Sequence, residues 1–210
     1  MKIYITRHSK TIWNEEKRLQ GWKDSPLTNQ GKEDAKELKK YLEHLSIDHV
    51  YSSPIKRAYD TATLLFDQEI IIDDRLKEMN FGDYEGKLIN NLFDDKDYND
   101  LWNCPKSDFG LKNGETYQEV YDRLNDFLKE IYCLHSNETV FIVIHGMLFT
   151  IFLGIVYGLK IEELTKVNSN IVQGCSLTDI DFDGNNFVIN YIGKNDFLTN
   201  QESIRYNKKD

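Results

Sequence analysis

The sequence predicts an α/β protein, a three-layer sandwich whose mostly parallel central sheet carries helices on both faces and a small cap or insertion. Three observations predict it. Short β-forming runs alternate with amphipathic helical stretches along most of the chain. Val140 to Ile144 is a continuous apolar run, the pattern of a strand buried on both faces. The chain has 210 residues, 40% of them hydrophobic, and no Pro/Gly/Ser-rich linker splits it. That length buries one sizeable core. The expectation is therefore a single domain over 1–210, with the cap or insertion at about 87–114.

The elements follow in order. Lys2 to Thr6 is a short strand, rich in β-formers, that runs straight into Arg7-His8. Ser9 to Pro26 reads as a charged loop. A helix starts at Thr28, and Ala35, Leu38, Leu42 and Leu45 form its apolar face. Val50-Tyr51 ends a second strand. Ser53 as N-cap and Pro54 at the first helical position then open a helix with Ala58, Ala62, Leu65 and Phe66 inside. Ile70 to Ile72 is a further short strand, and Glu78 to Gly86 is turn-like. The 87–114 stretch is the least regular, mixing aromatic and acidic residues. A long helix covers about Thr116 to Leu134, with Val120, Leu124, Phe127, Leu128 and Ile131 facing inward. After the central strand comes an apolar helix over Met147 to Tyr157. Two strands around Asp183-Gly184-Asn185-Asn186 make a hairpin.

Composition narrows the function classes. A net charge of −9 argues against a nucleic-acid partner, which calls for a basic stripe. An anionic small molecule is still admissible, because a local arginine cluster overrides the global field at short range. Cys104, Cys133 and Cys175 lack CxxC spacing and read as reduced thiols. The most apolar run, Met147 to Tyr157, is too short to span a bilayer, which takes about 20 residues. With no signal-peptide pattern at the start, the expected setting is the cytoplasm, without membrane contact. Oligomeric state is not legible.

The chemistry concentrates where strands end. In parallel sheets, ligands bind beyond the carboxyl ends of the strands. Arg7-His8 follows the first strand, Arg57 lies just inside the helix after the second, and His145-Gly146 follows the central one. If these ends are neighbours, two histidines and two arginines converge. Guanidinium forks match phosphate oxygens, a helix N-terminus adds free N–H groups, and a neutral imidazole attacks phosphorus. Nearby cations depress its pKa and keep it neutral. His44, His49 and His135, at helix ends or in loops beside charged residues, receive no role. A metal-dependent hydrolase built on His8 and His145 finds no HxH or HxD spacing in support.

In combination these segments resemble the histidine phosphatase superfamily, the phosphoglycerate mutase-like family. The resemblance rests on Arg7-His8-Ser9-Lys10-Thr11-Ile12-Trp13-Asn14, on Gln20-Gly21-Trp22, and on Asp24-Ser25-Pro26-Leu27-Thr28 with Gly31. It continues through Tyr51 to Ala58 with Thr61-Ala62, Glu78 to Gly86, Gly114-Glu115-Thr116 with Arg123, and Val143-Ile144-His145-Gly146. The order is the family's own, and the matches run from residue 3 to about 147. The resemblance implies that His8 is the phosphorylated nucleophile, that Arg7, Arg57 and His145 bind the phosphoryl group, and that Glu78 is the general acid and then base. It further implies that Asn14 contacts the phosphate, that Gln20, Gly21 and Gly146 line the site, and that no metal or organic cofactor is needed.

One departure stands out. Ser9 replaces the family's Gly, which requires either a negative φ there and room for the side chain, or a new hydrogen bond to the phosphate. The acid segment resembles the phosphatase version, and the 87–114 stretch is short for a mutase lid. The expected activity is hydrolysis of a small phosphate monoester. The alternatives are a cofactor-dependent phosphoglycerate mutase and an inactive phosphate-binding module.

Overall fold

A computed structural model describes residues 1–168 and 172–201. Its sheet has six strands in the order β3-β2-β4-β1-β5-β6. These are β1 (Lys2–Arg7), β2 (His49–Ser52), β3 (Ile70–Ile72), β4 (Thr139–Ile144), β5 (Leu177–Phe182) and β6 (Phe187–Lys194). The first four are parallel to one another, and the β5–β6 hairpin closes one edge antiparallel. Six α-helices accompany them: α1 (Ile12–Glu15), α2 (Asn29–Leu42), α3 (Lys56–Leu65), α4 (Lys96–Asn103), α5 (Tyr117–His135) and α6 (Gly146–Val156).

The period-2 alternation of the strands divides the core in two. Ile3, Ile5, Val140, Ile142 and Ile144 face the layer that holds α5 and α6. Tyr4, Phe141 and Val143 face the opposite layer, with Ala35, Leu38 and Leu42 of α2 and Ala58, Ala62 and Leu65 of α3. Successive strand residues point to opposite faces, so a strand apolar at every position is one covered on both sides. The expected three-layer α/β architecture is what the chain adopts.

Two local readings need correction. The 9–26 stretch is not all loop: Thr11 and Asn14 form a reciprocal capping box that nucleates the single turn α1. Helix α3 does not begin at Pro54. Its N-cap is Ile55, still extended at φ −64 and ψ 127, with no side-chain cap bond of its own. The Ser53 hydroxyl instead accepts from Ile55 N (3.2 Å). The cap comes from afar, since Asp24 Oδ1 accepts from Arg57 N (3.4 Å). A local propensity rule does not register a carboxylate supplied from 33 residues away. The 87–114 segment contains α4, N-capped by Asp95, and a 3-10 turn at Ile89–Asn91.

Because β4 lies between β2 and β1, the carboxyl ends that carry Arg7-His8, Ser52-Ser53 and His145 are adjacent. His8 N donates to Ile144 O (2.8 Å) and Ser53 N to Val143 O (3.2 Å), which extends the ladder to the rim.

Candidate active site

Arg7, His8, Asn14, Gln20, Gly21, Arg57, Glu78 and Gly146 line one cleft of about 520 Å³ at that rim. His145 stands behind it, fully buried, with its ring centroid 5.2 Å from that of His8. All nine residues singled out by sequence are thus brought together.

The His8 ring is buried, and its Nδ1 lies 2.8 Å from Ser9 O. A carbonyl only accepts, so Nδ1 carries the proton and the lone pair resides on Nε2. Arg57 Nε donates to that Nε2 at 3.2 Å. Burial first, then the Arg57 and Arg7 charges, holds the His8 pKa well below that of ordinary imidazole. His145 is depressed for the same reasons, burial leading. Neither of its ring nitrogens has a hydrogen-bond partner among the described residues.

The Arg57 side chain is 1% exposed and is fixed by three acceptors: Nη2 donates to Gly21 O (2.7 Å), and Nη1 to Lys23 O (3.0 Å) and to Asp24 Oδ1 (3.0 Å). Arg7 reaches across the start of α6, since a Cβ built on Gly146 stands 3.6 Å from Arg7 Nε and 3.8 Å from Glu78 Oε2.

The carboxylate of Glu78 caps α6. Its Oε1 accepts from Leu148 N (2.9 Å) and Met79 N (2.9 Å), and its Oε2 from Met147 N (3.1 Å). Two of these N–H groups, of Met147 and Leu148, belong to the first turn of α6, a ready anion site, and His145, the N-cap, supplies no side-chain bond of its own. Arg123 secures the backbone beneath by donating to Arg75 O (2.6 Å), Lys77 O (2.8 Å) and Glu78 O (3.1 Å), while Glu115 holds its guanidinium. Trp22 Nε1 also donates to Glu78 O (2.8 Å).

Other placements are plainer. Asn14 Oδ1 is engaged by Thr11 N (3.0 Å) and Oγ1 (2.9 Å), and Gln20 Oε1 accepts from Thr11 Oγ1 (3.2 Å). Ser9 has a negative φ, since Lys17, Asn113 and Cys175 are the described non-glycine residues with positive φ. Its Oγ donates to Gly31 O (2.6 Å), where the absent side chain of Gly31 makes room, for a Cβ there stands 3.0 Å from that Oγ. The hydroxyl is therefore committed to α2: of the two alternatives, negative φ with room for the side chain holds, and the bond to phosphate does not.

Sequence reasoning assigned no role to Asp24, Glu85 or Gly174. Glu85 receives Trp22 N (2.8 Å), Lys23 N (2.7 Å) and Phe81 N (3.0 Å) on its carboxylate, tying the 20–23 loop to the acid segment. Gly174 passes so close to the nucleophile that a Cβ would stand 2.6 Å from His8 O. Asp24 and Glu85 fall inside quoted motifs, so the signal was there. The passage of Gly174 leaves none in a single sequence.

Among the described residues, the group of three with metal-type ligand atoms in mutual reach is His49, His135 and Glu138. It sits at the amino ends of β2 and β4, away from the cleft. There Glu138 Oε2 takes hydrogen bonds from His49 Nε2 (2.9 Å) and His135 Nδ1 (2.7 Å). No helix among the described residues is long and apolar enough to cross a membrane.

Comparison with known proteins agrees with this geometry. The family model of the histidine phosphatase superfamily (branch 1) matches residues 3–195. A Hydrogenobacter thermophilus protein that carries the name phosphoserine phosphatase 2 is 29% identical over 92% of this chain and 95% of its own length. Escherichia coli GpmB, named as a phosphoglycerate mutase, is 30% identical over 87% of this chain and 85% of its own. The solved structure of Bacillus stearothermophilus YhfR superposes with a TM-score of 0.85 at 32% identity, covering 93% of this chain and 98% of that one. The chain belongs to the histidine phosphatase superfamily, branch 1, the phosphoglycerate mutase-like family.

Proposed function

We propose that the chain hydrolyses small phosphate monoesters through a phosphohistidine on His8. The observation that carries this is the His8 ring itself, with its proton fixed on Nδ1 by Ser9 O and its Nε2 lone pair aimed at Arg57 inside a buried cationic site. An incoming phosphoryl group takes over the Arg57 Nε donor and frees Nε2 to attack. The Nε2–P bond forms as the P–O bond to the leaving alcohol breaks, and the acid form of Glu78 gives that oxygen its proton. Water then attacks phosphorus, the N–P bond breaks, and Glu78 takes the water's proton. Arg7, Arg57 and neutral His145 supply donors where negative charge develops on the equatorial oxygens. Asn14 contributes through its Nδ2, since its Oδ1 is held by Thr11. Gln20, Gly21 and Gly146 shape the floor. This chemistry calls on no metal or organic cofactor.

The mutase reading asks for more cations than the cleft offers. A mutase holds a second anionic group beside the transferring phosphate. Beyond Arg7 and Arg57, the lining cation is Arg18. Its Nε is already bonded to Glu16 (2.6 Å) and its Nη1 to Gly86 O (2.9 Å). We also infer one domain over 1–210 with a cap at about 87–114, no nucleic-acid partner, and a cytoplasmic setting, where free thiols such as Cys104 and Cys133 persist.

The test measures two rates on one preparation, inorganic phosphate release from a panel of monoesters and 3- to 2-phosphoglycerate isomerisation by coupled enolase assay. Hydrolysis of the best ester is expected to exceed isomerisation without a bisphosphate primer. Isomerisation faster than every hydrolysis, and stimulated by 2,3-bisphosphoglycerate, returns the mutase reading.

A further inference from the structure

Beside its polar phosphoryl-binding residues the cleft has an apolar and aromatic lining. Leu19, Phe81, Ile89, Tyr98, Trp102 and Met147 form it, all buried. They come from five separate segments: the loop after α1, the acid segment, the 3-10 turn, α4 and the first turn of α6. Tyr98 and Trp102 are four apart on α4 and so share one face. Their rings meet edge-on at 6.2 Å, and Phe81 lies 6.3 Å from Trp102. A second observation points to a ligand. The Trp102 indole N–H is buried without a hydrogen-bond partner among the described residues, a costly state for a donor that an acceptor on a bound molecule relieves.

We propose that the site selects monoesters whose leaving alcohol is bulky and apolar, an aromatic ring or comparable hydrocarbon with a single hydrogen-bond acceptor for Trp102. It rejects leaving groups that carry an ammonium, phosphoserine included. This rests on the hydrolase reading above. An ammonium placed against this wall loses its water with no carboxylate among the six residues to meet it. The wall therefore does not suit the ammonium of a phosphoserine.

The experiment compares alkyl esters, so that leaving-group chemistry does not set the order. For the full chain, kcat/KM is measured on 2-phenylethyl phosphate, glycerol 3-phosphate, phosphoserine and 3-phosphoglycerate. Burying roughly 100 Å² of ring surface at ~25 cal/mol per Å² corresponds to a preference of roughly 70-fold for the phenylethyl ester. Trp102→Ala is expected to cut that substrate by about 10-fold and so to narrow its preference over glycerol 3-phosphate.

A turnover-independent arm titrates the unmodified protein by calorimetry with 3-phenylpropylphosphonate and with 2-amino-4-phosphonobutyrate, the non-hydrolysable counterparts of the phenylethyl and seryl esters. Tighter binding of the phenyl compound supports the proposal even if Trp102→Ala fails to fold. Equal or tighter binding of the amino acid phosphonate, or phosphoserine as the best ester, overturns it. Loss of all turnover with the phenyl preference intact counts against the hydrolase reading alone.

Discussion

Replacing Glu78 by Gln exchanges one carboxylate oxygen for an amide nitrogen and leaves the side-chain volume almost unchanged. The wild-type carboxylate accepts three backbone N–H groups, two on Oε1 and one on Oε2. The amide oxygen can keep Leu148 N and Met79 N, but the NH2 group then faces Met147 N, donor against donor. One orphaned buried N–H costs about 1–3 kcal/mol. Losing a negative charge at the start of α6 costs about 0.3–1 kcal/mol more. The variant should therefore lose about 2–3 kcal/mol, and its Tm should fall by roughly 5–10 °C for a chain of this size. Chemistry supplies a second, independent readout. A lost general acid slows reactions by about 10² to 10⁴ where the leaving oxygen needs a proton. Turnover of an alkyl phosphate should fall by that much, while a nitrophenyl ester, whose leaving group departs as the anion, should fall far less. Stopped assays on both substrates, with thermal unfolding on the same sample, decide it. Equal losses on the two esters refute the general-acid role, and an unchanged Tm refutes the capping role.

Other expectations follow from the same geometry. His8 and His145 are held neutral in the fold with pKa values below the ordinary 6.5, so the unfolded chain takes up protons that the folded chain refuses. Stability is then full above about pH 7 and falls as pH drops through 6.5, by up to about 1.4 kcal/mol per pH unit for each histidine; urea unfolding at pH 7.5 and 5.5 measures it, and a flat profile contradicts it. Ser9→Gly removes the bond to Gly31 O, so it should cost about 1 kcal/mol in denaturant titrations and leave kcat within about 3-fold, whereas a larger kcat loss gives Ser9 a hand in the chemistry. Gly21→Ala places a Cβ at a φ of +63 and 2.1 Å from Glu85 Oε1; unfolding curves should show a loss of more than ~2 kcal/mol, and a neutral result means that the loop moves freely.

Most of this site was legible because its chemistry sits at strand ends, and strand ends are marked by where apolar runs stop. Ile3 to Ile5 and Val140 to Ile144 point straight at His8 and His145. The neighbouring of those ends was conditional until the sheet order placed β4 between β1 and β2. What stayed hidden was tertiary. Ser53-Pro54 looked like a helix start because Pro suits the first helical turn, yet Asp24 caps α3 two residues later. The Ser9 departure admits either room for the side chain at negative φ or a bond to phosphate, and only the proximity of Gly31 shows where its hydroxyl goes. The clamp of Arg123 on the 75–78 backbone joins residues 45 to 48 positions apart, beyond any local pattern. The apolar wall likewise gathers from segments that individually read as loop, cap and core.

The central claim is that phosphate passes through His8 Nε2. A rapid acid-free quench after mixing with labelled substrate, followed by peptide mapping, tests it directly. The account predicts label on His8, stable in base and lost in acid as a phosphoramidate is, and no label in His8→Ala. Label on a serine or glutamate, or label that survives in His8→Ala, contradicts it.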